Sequence, residues 1–378
     1  MPLRIVQNDI TRMETDAIVN AANSALAMGG GVCGAIFAAA GEREMTEACQ
    51  KIGRCSVGGS VITDGFRLPA KYVIHAVGPI WHGGTAGEAE LLRNCYRSAL
   101  TLASVKGLTS IAFPLISSGI YGYPKAEALR IALDTIAAFL METESETELL
   151  VYLVVFDRSA VQLSAALTDR LEQWLDTASM ASRQEGRREE RLMQLRLEEK
   201  LLADFAANCD CDASDGMVFA APSVAPTEPR PKPAGKPRPA SPQGKNAIFS
   251  AKHASHAAWE GFTPSPGETF SEQLLRRIDE RGMTDVETYK RANIDRRLFS
   301  KIRSRKDYLP SRRTAIALAV ALRLDLAETR ELLRAAGYAL SDANRFDLIV
   351  RFFIEEGDFD VYRINEALFY YGEPLLGA

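Results

Sequence analysis

Apolar positions recur along the first 176 residues in two different patterns. Short, nearly continuous apolar runs rich in Val, Ile and Phe are typical of buried strands, whereas an apolar residue at every third or fourth position is typical of an amphipathic helix. The first pattern predicts strands at 3–6, 16–20, 60–63, 72–77, 110–115 and 149–156. The second predicts helices at 32–40, 42–51, 88–105, 124–141 and 159–175. This alternation predicts a three-layer α/β sandwich around a buried, largely parallel sheet.

The pattern changes twice after residue 176. A charged, helix-favouring run at 183–206 predicts a solvated helical extension. The segment that follows contains the Pro-rich, basic stretch APTEPRPKPAGKPRPASPQ, which is typical of a semi-extended disordered linker. We therefore expect an α/β domain at 1–176, a charged helical segment with a disordered linker at 177–268, and a small all-α domain at 269–378.

Helix signals return at Phe270. Thr284 with Glu287, and Asp325 with Glu328, have the spacing of capping boxes at helix starts. Glycines expected just after helix ends are Gly337, Gly357 and Gly372.

The composition is that of ordinary globular domains. The chain has 378 residues, 47% hydrophobic and 25% charged, with a net charge of -4, so the chain as a whole is not a general nucleic-acid binder. The N-terminus lacks a signal-peptide core, and no run is long and apolar enough to span a bilayer. The six cysteines show no disulfide spacing, which predicts reduced thiols. These features predict a cytoplasmic protein that does not bind a membrane.

Two glycine-rich loops follow predicted strands and precede predicted helices. The first begins the stretch GGGVCGAIFAAAG (29–41), and the second is SSGIYGYP (117–124). Loops of this kind bring backbone N–H groups close to a ligand, and the helix dipole adds positive potential, so each favours an anion such as phosphate. Two such loops at the carboxyl ends of strands fit the two sides of a diphosphate.

Several motifs, taken together and in order, resemble the macrodomain family. They are NDIT (8–11), DAIVNAAN (16–23), GGGVCGAIFAAAG (29–41), YVIHAVGPIW (72–81), AFPLISSGIYGYP (112–124) and VVFDRS (154–159). The closest resemblance is to the MacroD-type group, which binds ADP-ribose and cleaves ADP-ribose linkages. It covers about residues 1–176.

The resemblance implies roles for individual residues. Asp9, with Ile10 beside it, would hold the adenine amino group, and Phe156 would stack on the adenine. Asn23 would bind the distal ribose. The backbone around the diphosphate would be that of Gly29, Gly30, Gly31, Val32, Ser117, Ser118, Gly119, Ile120 and Tyr121, with the Tyr121 ring against the distal ribose. The residues alone leave plainer interpretations open: Asp9 as a turn or cap residue, Asn23 as a turn residue, and Phe156 as core.

Cys33 departs from the family pattern, because MacroD-type hydrolases usually have an aspartate at that position. We take Asn23 and Cys33 as the candidate catalytic residues. A helix N-terminus favours the ionised form of a thiol, so Cys33 could assist water, or it could be a small apolar filler under the loop. No second Cys or His follows Cys33 closely, and His75 in its apolar strand is better explained as a core residue, so we expect no metal and no cofactor.

The segment 284–338 resembles a repressor-type helix-turn-helix domain. The first helix would cover 286–291 and the recognition helix 295–304. Candidate nucleic-acid contacts are Arg296, Arg297, Lys301, Arg303 and Arg305. A protein-docking role is the alternative, because a run of charge is often only a solvated helix face.

Two functions fit these expectations. The first is hydrolysis of ADP-ribosyl esters, either mono-ADP-ribosylated acidic side chains or O-acetyl-ADP-ribose. The second is non-catalytic binding of ADP-ribose, with the helical domain recruiting DNA or a protein. The expected partners are therefore ADP-ribose or an ADP-ribosylated protein, with a possible DNA or protein partner for the C-terminal helices.

Overall fold

The computed structural model describes residues 3–142, 149–156, 163, 165–208 and 267–377. A six-stranded sheet has the order β1-β6-β5-β2-β4-β3, and only the pairing of β3 with β4 is antiparallel. Its strands are β1 (Leu3–Gln7), β2 (Ala17–Ala22), β3 (Ser60–Asp64), β4 (Tyr72–Val77), β5 (Ser110–Pro114) and β6 (Leu150–Val155). After β2 the chain continues towards one edge of the sheet, through β3 and β4, and after β5 it continues towards the other edge, through β6. The carboxyl ends of β2 and β5 therefore border a crevice, and open α/β sheets bind ligands at such a crevice.

Helices cover both faces of this sheet. On one face α1 (Val32–Ala40) and α2 (Glu42–Ile52) pack over Ile18 and Val73. On the other, α3 (Glu88–Val105) and α4 (Lys125–Glu142) pack over Phe113 and Leu153. The interior strands are largely apolar on both sides, as expected where helices cover both faces of a sheet. The three-layer sandwich predicted from the sequence is confirmed.

The remaining helices are found after residue 164. The long helix α5 (Ala165–Asn208) contains the charged run at 183–206, and most of the segment predicted as a linker lies outside the described residues. Seven helices follow: α6 (Phe270–Glu280), α7 (Asp285–Arg291), α8 (Arg296–Ser304), α9 (Arg312–Ala321), α10 (Leu326–Ala335), α11 (Arg345–Glu355) and α12 (Val361–Tyr370). Within the described ranges, every helix is too short or too polar to cross a bilayer.

Most of the predicted helix punctuation of the C-terminal region is present. Asp325 and Glu328 form a complete capping box at the start of α10. At α7 the Thr284 side chain accepts from the Glu287 N–H, but the Glu287 carboxylate pairs with Arg291 at 2.6 Å instead of returning to the cap. The predicted glycines Gly337, Gly357 and Gly372 follow α10, α11 and α12.

The C-terminal helices pack directly against the α/β domain, and residues 1–186 and 266–378 form one compact unit. Asn293 is fully buried, and its side-chain amide bonds both backbone groups of Leu3 at the start of β1, accepting from N–H at 2.7 Å and donating to C=O at 2.9 Å. Lys290 donates to the Met141 carbonyl at the end of α4, at 3.0 Å. These contacts lie at the amino-terminal end of β1, away from the carboxyl edge of the sheet.

A charged cavity of about 280 Å³ lies between α4 and α12. Arg130 and Asp134 of α4 line it, together with Arg363 and Glu366 of α12. Burial raises the pKa of Glu366 to about 7. We therefore expect the protonation of this carboxyl to affect the packing of the helical region on the α/β domain.

Candidate functional site

A cavity of about 520 Å³ opens at the carboxyl ends of β2, β5 and β6. It lies at the crevice that the strand order defines. Its walls include Asn23, all residues from Gly29 to Cys33, all residues from Ser117 to Tyr121, and Phe156. The two glycine loops and the strand-end aromatic residue that the sequence singled out therefore face one another.

The first glycine loop ends at the amino terminus of α1. Gly31 is the N-cap residue with φ +62°, a left-handed value that favours glycine, and no side chain caps the helix there. Gly34 packs against the loop, because a Cβ at this position would lie 2.6 Å from the Gly29 carbonyl oxygen. The first N–H groups of α1 are left for an anionic ligand, and the helix dipole favours negative charge at this end.

The second glycine loop is held in a strained conformation. Ser117 has φ +65°, which is uncommon for a residue with a side chain. Its hydroxyl is buried without a hydrogen-bond partner among the described residues, and a Cβ on Gly78 would lie 2.2 Å from it. Strained backbone and an unpartnered buried hydroxyl in a cavity wall are features of ligand-binding sites.

Asn23 organises the loop that follows β2. Its Oδ1 accepts from the N–H groups of Ala25 and Ala27, both at 3.1 Å, and its Nδ2 donates to the Ala27 carbonyl at 2.7 Å. The predicted turn role is therefore present. The second N–H of the amide is not used in these bonds, so Asn23 keeps a donor at the cavity wall.

Cys33 lies at the floor of the cavity and is buried. Its sulfur accepts from Asn20 Nδ2 at 3.6 Å, and its S–H donates to the Ala27 carbonyl at 3.8 Å. The thiol therefore has two polar contacts and also belongs to the apolar cluster under α1, which suits either interpretation of Cys33. The sequence analysis missed Asn20, although a lone amide within the apolar run of β2 was a visible signal.

His75 is a core residue, as the sequence indicated. Its Nδ1 lies 3.1 Å from Asn20 Nδ2, and its Nε2 lies 2.9 Å from the Thr63 hydroxyl. Burial lowers the pKa of His75 to about 4, so the ring is neutral at physiological pH. It does not line the cavity, and Asn20 joins it to Cys33 by hydrogen bonds.

The residues predicted at the adenine end follow β1 and β6, which are neighbours in the sheet and pair in register up to Gln7 and Val155. Phe156 lines the cavity and is 82% exposed, so a core role is excluded and its ring face is open for stacking. Asp9 and Ile10 are not among the lining residues. Asp9 instead caps a 3₁₀ turn, and the hydrogen bond from the Thr11 hydroxyl at 2.7 Å lowers its pKa. Ile10 is buried.

The charge of the cavity comes from one side chain that sequence reasoning did not single out. Lys125, at the start of α4, is the one ionisable residue other than Cys33 and Tyr121 among the described lining residues. A second missed residue, Glu88, accepts from the backbone N–H groups of His82, Gly84 and Ala86, and so fixes the neighbouring loop. The ring of Trp81, also in that loop, packs on Tyr123 at 4.5 Å between centroids.

The predicted nucleic-acid contacts lie on another surface of the protein. The side chains of α8 divide into a buried apolar side with Phe299 and Ile302, and an exposed cationic side. That exposed side and the residue after it carry all the predicted contacts: Arg296, Arg297, Lys301, Arg303 and Arg305. Arg303 forms an ion pair with Asp285 of α7.

The fold and the cavity define an α/β protein with a cleft, lined by two glycine loops, at the carboxyl edge of a largely parallel sheet. Residues 19–132 match the Macro domain family model. A macro domain-containing protein of Mesorhizobium japonicum is 49% identical over 161 residues, which are 43% of this chain and 90% of that protein. The chain belongs to the macrodomain family.

Two further similarities concern proteins with a named ligand or activity. The O-acetyl-ADP-ribose deacetylase of Citrobacter rodentium is 48% identical over 165 residues, which are 43% of this chain and 92% of that protein. The solved structure of the Oceanobacillus iheyensis macrodomain with ADP is 45% identical in sequence to this protein. The match covers 45% of this chain and 92% of the solved chain, with a TM-score of 0.40.

Proposed function

We propose that the N-terminal domain binds ADP-ribose and hydrolyses ADP-ribosyl esters. The observation that carries the proposal is the convergence of both glycine loops and an exposed aromatic ring on one cavity of about 520 Å³. Its volume is that of a site for a small ligand. The similarity to an O-acetyl-ADP-ribose deacetylase over 92% of that protein supports the choice of substrate.

In the proposed complex the diphosphate lies between the two loops. The backbone N–H groups at Gly31 and Gly119 face it, with the N-terminus of α1 supplying positive potential. Phe156 stacks on the adenine at one end. Asn23 donates its remaining N–H to the distal ribose at the other end, where Tyr121 packs.

Hydrolysis depends mainly on positioning in this proposal. The described cavity lining contains no carboxylate and no imidazole. A water held between a ligand phosphate oxygen and the ester attacks the acyl carbon. The bond from that carbon to the ribose oxygen breaks, and the ribose oxygen takes one of the two protons of the attacking water. ADP-ribose and acetic acid leave, and the acid ionises to acetate. Holding water and ester in register accounts for the rate.

The alternative is an ADP-ribose-binding protein without turnover. The absence of a carboxylate from the described lining, with Cys33 in place of the usual family aspartate, favours it. The deciding experiment measures acetate release from O-acetyl-ADP-ribose by the full chain and by Asn23→Ala. We expect release that falls in the variant. Binding of ADP-ribose without release from O-acetyl-ADP-ribose, and without release of ADP-ribose from a protein modified on acidic side chains, would establish the non-catalytic alternative.

For the C-terminal helices we propose nucleic-acid binding through the exposed side of α8. Support comes from the division of α8 into a buried apolar side and a cationic side. Retention of duplex DNA by the full chain should fall steeply with added salt, and the Arg297→Glu/Lys301→Glu variant should lose it. Lack of retention at low salt would assign this surface to protein docking instead.

A further inference from the structure

We propose that Asn20 and His75 position the Asn23 loop (residues 23–29) through the Cys33 thiol. The proposal rests on the proposed function, because it concerns the residues that face the distal ribose. In it Cys33 is a hydrogen-bonded link between a buried polar pair and the loop. Asn20 and His75 are positioning residues, since neither lines the cavity.

The two residues are neighbours in the sheet. Asn20 of β2 and His75 of β4 are paired in register, and both side chains lie on the face covered by α1, with the Phe37 ring 6.3 Å from the imidazole. Both are completely buried. Two polar side chains therefore replace apolar ones in the middle of an apolar layer.

The hydrogen bonds have one consistent direction. The two Asn20 Nδ2 hydrogens are donated to His75 Nδ1, at 3.1 Å, and to the Cys33 sulfur, at 3.6 Å. The neutral ring then carries its proton on Nε2 and donates it to the Thr63 hydroxyl at 2.9 Å. If the Asn20 amide were reversed, its two N–H groups would be buried without acceptors. In the present orientation only the Oδ1 acceptor is unpaired, and this costs less free energy than two unpaired donors.

This orientation is not stabilising overall. Among the described residues Asn20 Oδ1 has no hydrogen-bond partner, although it is buried. An unpaired buried acceptor costs stability, whereas replacing both members of a buried polar pair with apolar side chains is close to neutral. The pair is better explained by what it does for the cavity than by what it contributes to folding.

The link to the cavity is the Ala27 carbonyl. It accepts from the Cys33 thiol at 3.8 Å and from Asn23 Nδ2 at 2.7 Å. The Ala27 N–H in turn donates to Asn23 Oδ1. Asn20 donates to the Cys33 sulfur from one side and so directs the S–H towards the Ala27 carbonyl on the other side. The same carbonyl accepts from Asn23, so the orientation of the thiol affects the position of Asn23.

The first test removes the polar pair as a whole. The variant Asn20→Leu/His75→Leu should keep a melting temperature within about 3 °C of wild type or above it. Its release of acetate from O-acetyl-ADP-ribose should fall by about tenfold to a hundredfold, the range for a misplaced positioning group. In the ligand-free protein the Ala25 and Ala27 amides, which bond Asn23, should exchange hydrogen faster.

The second test changes only the link. Cys33→Ala should impair turnover and speed the exchange of the two amides, and Cys33→Ser should recover most of both because a hydroxyl also accepts and donates. Cys55→Ala is the matched control, since Cys55 is a buried thiol in the same layer that does not line the cavity.

The outcomes separate this proposal from the proposed function. Wild-type exchange of the Ala25 and Ala27 amides in the folded double variant would overturn the positioning role, whatever the activity. Equal turnover in Cys33→Ala and wild type would overturn it as well. Failure of wild-type protein to bind ADP-ribose by calorimetry would remove the proposed function but would leave the exchange result to be judged by itself.

Discussion

Gly119 offers a substitution that separates ligand binding from folding. The residue lines the cavity, and a Cβ added to it would meet no heavy atom within 4 Å. Its φ lies outside the left-handed region, so a side chain brings no backbone strain. A side chain at this position therefore finds open space at the cavity wall and leaves the core unchanged.

The expected loss of affinity can be worked out by size and by charge. Gly119→Ala adds one methyl group close to the ligand and should cost about tenfold in ADP-ribose affinity, or about 1.4 kcal/mol. Gly119→Gln should cost more through its bulk. Gly119→Glu adds a charge, and two like charges about 4 Å apart repel by about 4 kcal/mol at an effective dielectric constant of 20, a further factor of roughly a thousand.

Calorimetry gives the affinities, and thermal unfolding gives the stability of each variant. All three melting temperatures should stay within about 3 °C of wild type. Val105→Glu, which adds the same charge at an exposed site outside the cavity, is the control and should bind normally. Wild-type affinity in Gly119→Glu would refute the placement of the diphosphate at the second loop.

Three further predictions concern stability. Burial lowers the pKa of His75 from 6.5 to about 4, so as the pH drops the imidazole is protonated first in the unfolded chain. The free energy of unfolding therefore falls between pH 6.5 and pH 4, by at most about 3 kcal/mol. Urea unfolding should show this loss in wild type and not in Asn20→Leu/His75→Leu; equal slopes would contradict it. Burial raises the pKa of Glu366 from 4.5 to about 7, so the carboxyl ionises more readily in the unfolded chain. The free energy of unfolding therefore falls as the pH rises from 4.5 to 7. Glu366→Gln should therefore be more stable at pH 8 by about 1–2 kcal/mol after screening, and a less stable variant would refute the assignment. Asn293→Ala loses both hydrogen bonds to Leu3 and should lower the free energy of unfolding by about 2–3 kcal/mol. Asn293→Gly suits the φ of +54° and should recover only about 1 kcal/mol of this loss. Full recovery in the glycine variant would show that the two bonds contribute nothing.

The α/β domain was predictable because its signals are local. Apolar runs and glycine or proline breaks predict the strand and helix limits to within two residues for most elements; the helix predicted at 32–40 is Val32–Ala40. The main error is the helix predicted at 159–175, because the described residues form one continuous helix from Ala165 to Asn208 that also includes the charged run. A smaller error is at β2, which continues through Ala21 and Ala22. Alanine has little strand preference, but here it pairs with β4, and tertiary pairing outweighs propensity.

The packing of the C-terminal helices was not predictable in this way. Asn293 bonds Leu3 across 290 positions of sequence, and no pattern near either residue indicates the other. The sequence indicated a separate helical domain, since a periodic helix face does not show which surface it will cover.

The site was predictable in part, for a related reason. Glycine loops and a strand-end aromatic residue are visible as motifs, so Gly31, Gly119 and Phe156 were found. Asn20 acts through Cys33 and touches the cavity wall only by a hydrogen bond, so its role appears only once the distances are known. The Asp9 side chain caps a 3₁₀ turn, and the adenine contact that the motif implies stays a prediction.

The most direct test of the central claim is calorimetry of the full chain with ADP-ribose, AMP and NAD at neutral pH. One molecule of ADP-ribose should bind per chain and more tightly than AMP or NAD. AMP lacks the second phosphate and the distal ribose, and NAD carries a bulky, positively charged nicotinamide on the distal ribose that the Asn23 end of the cavity would have to accommodate. No measurable binding of ADP-ribose, or an equal affinity for AMP, would contradict the account.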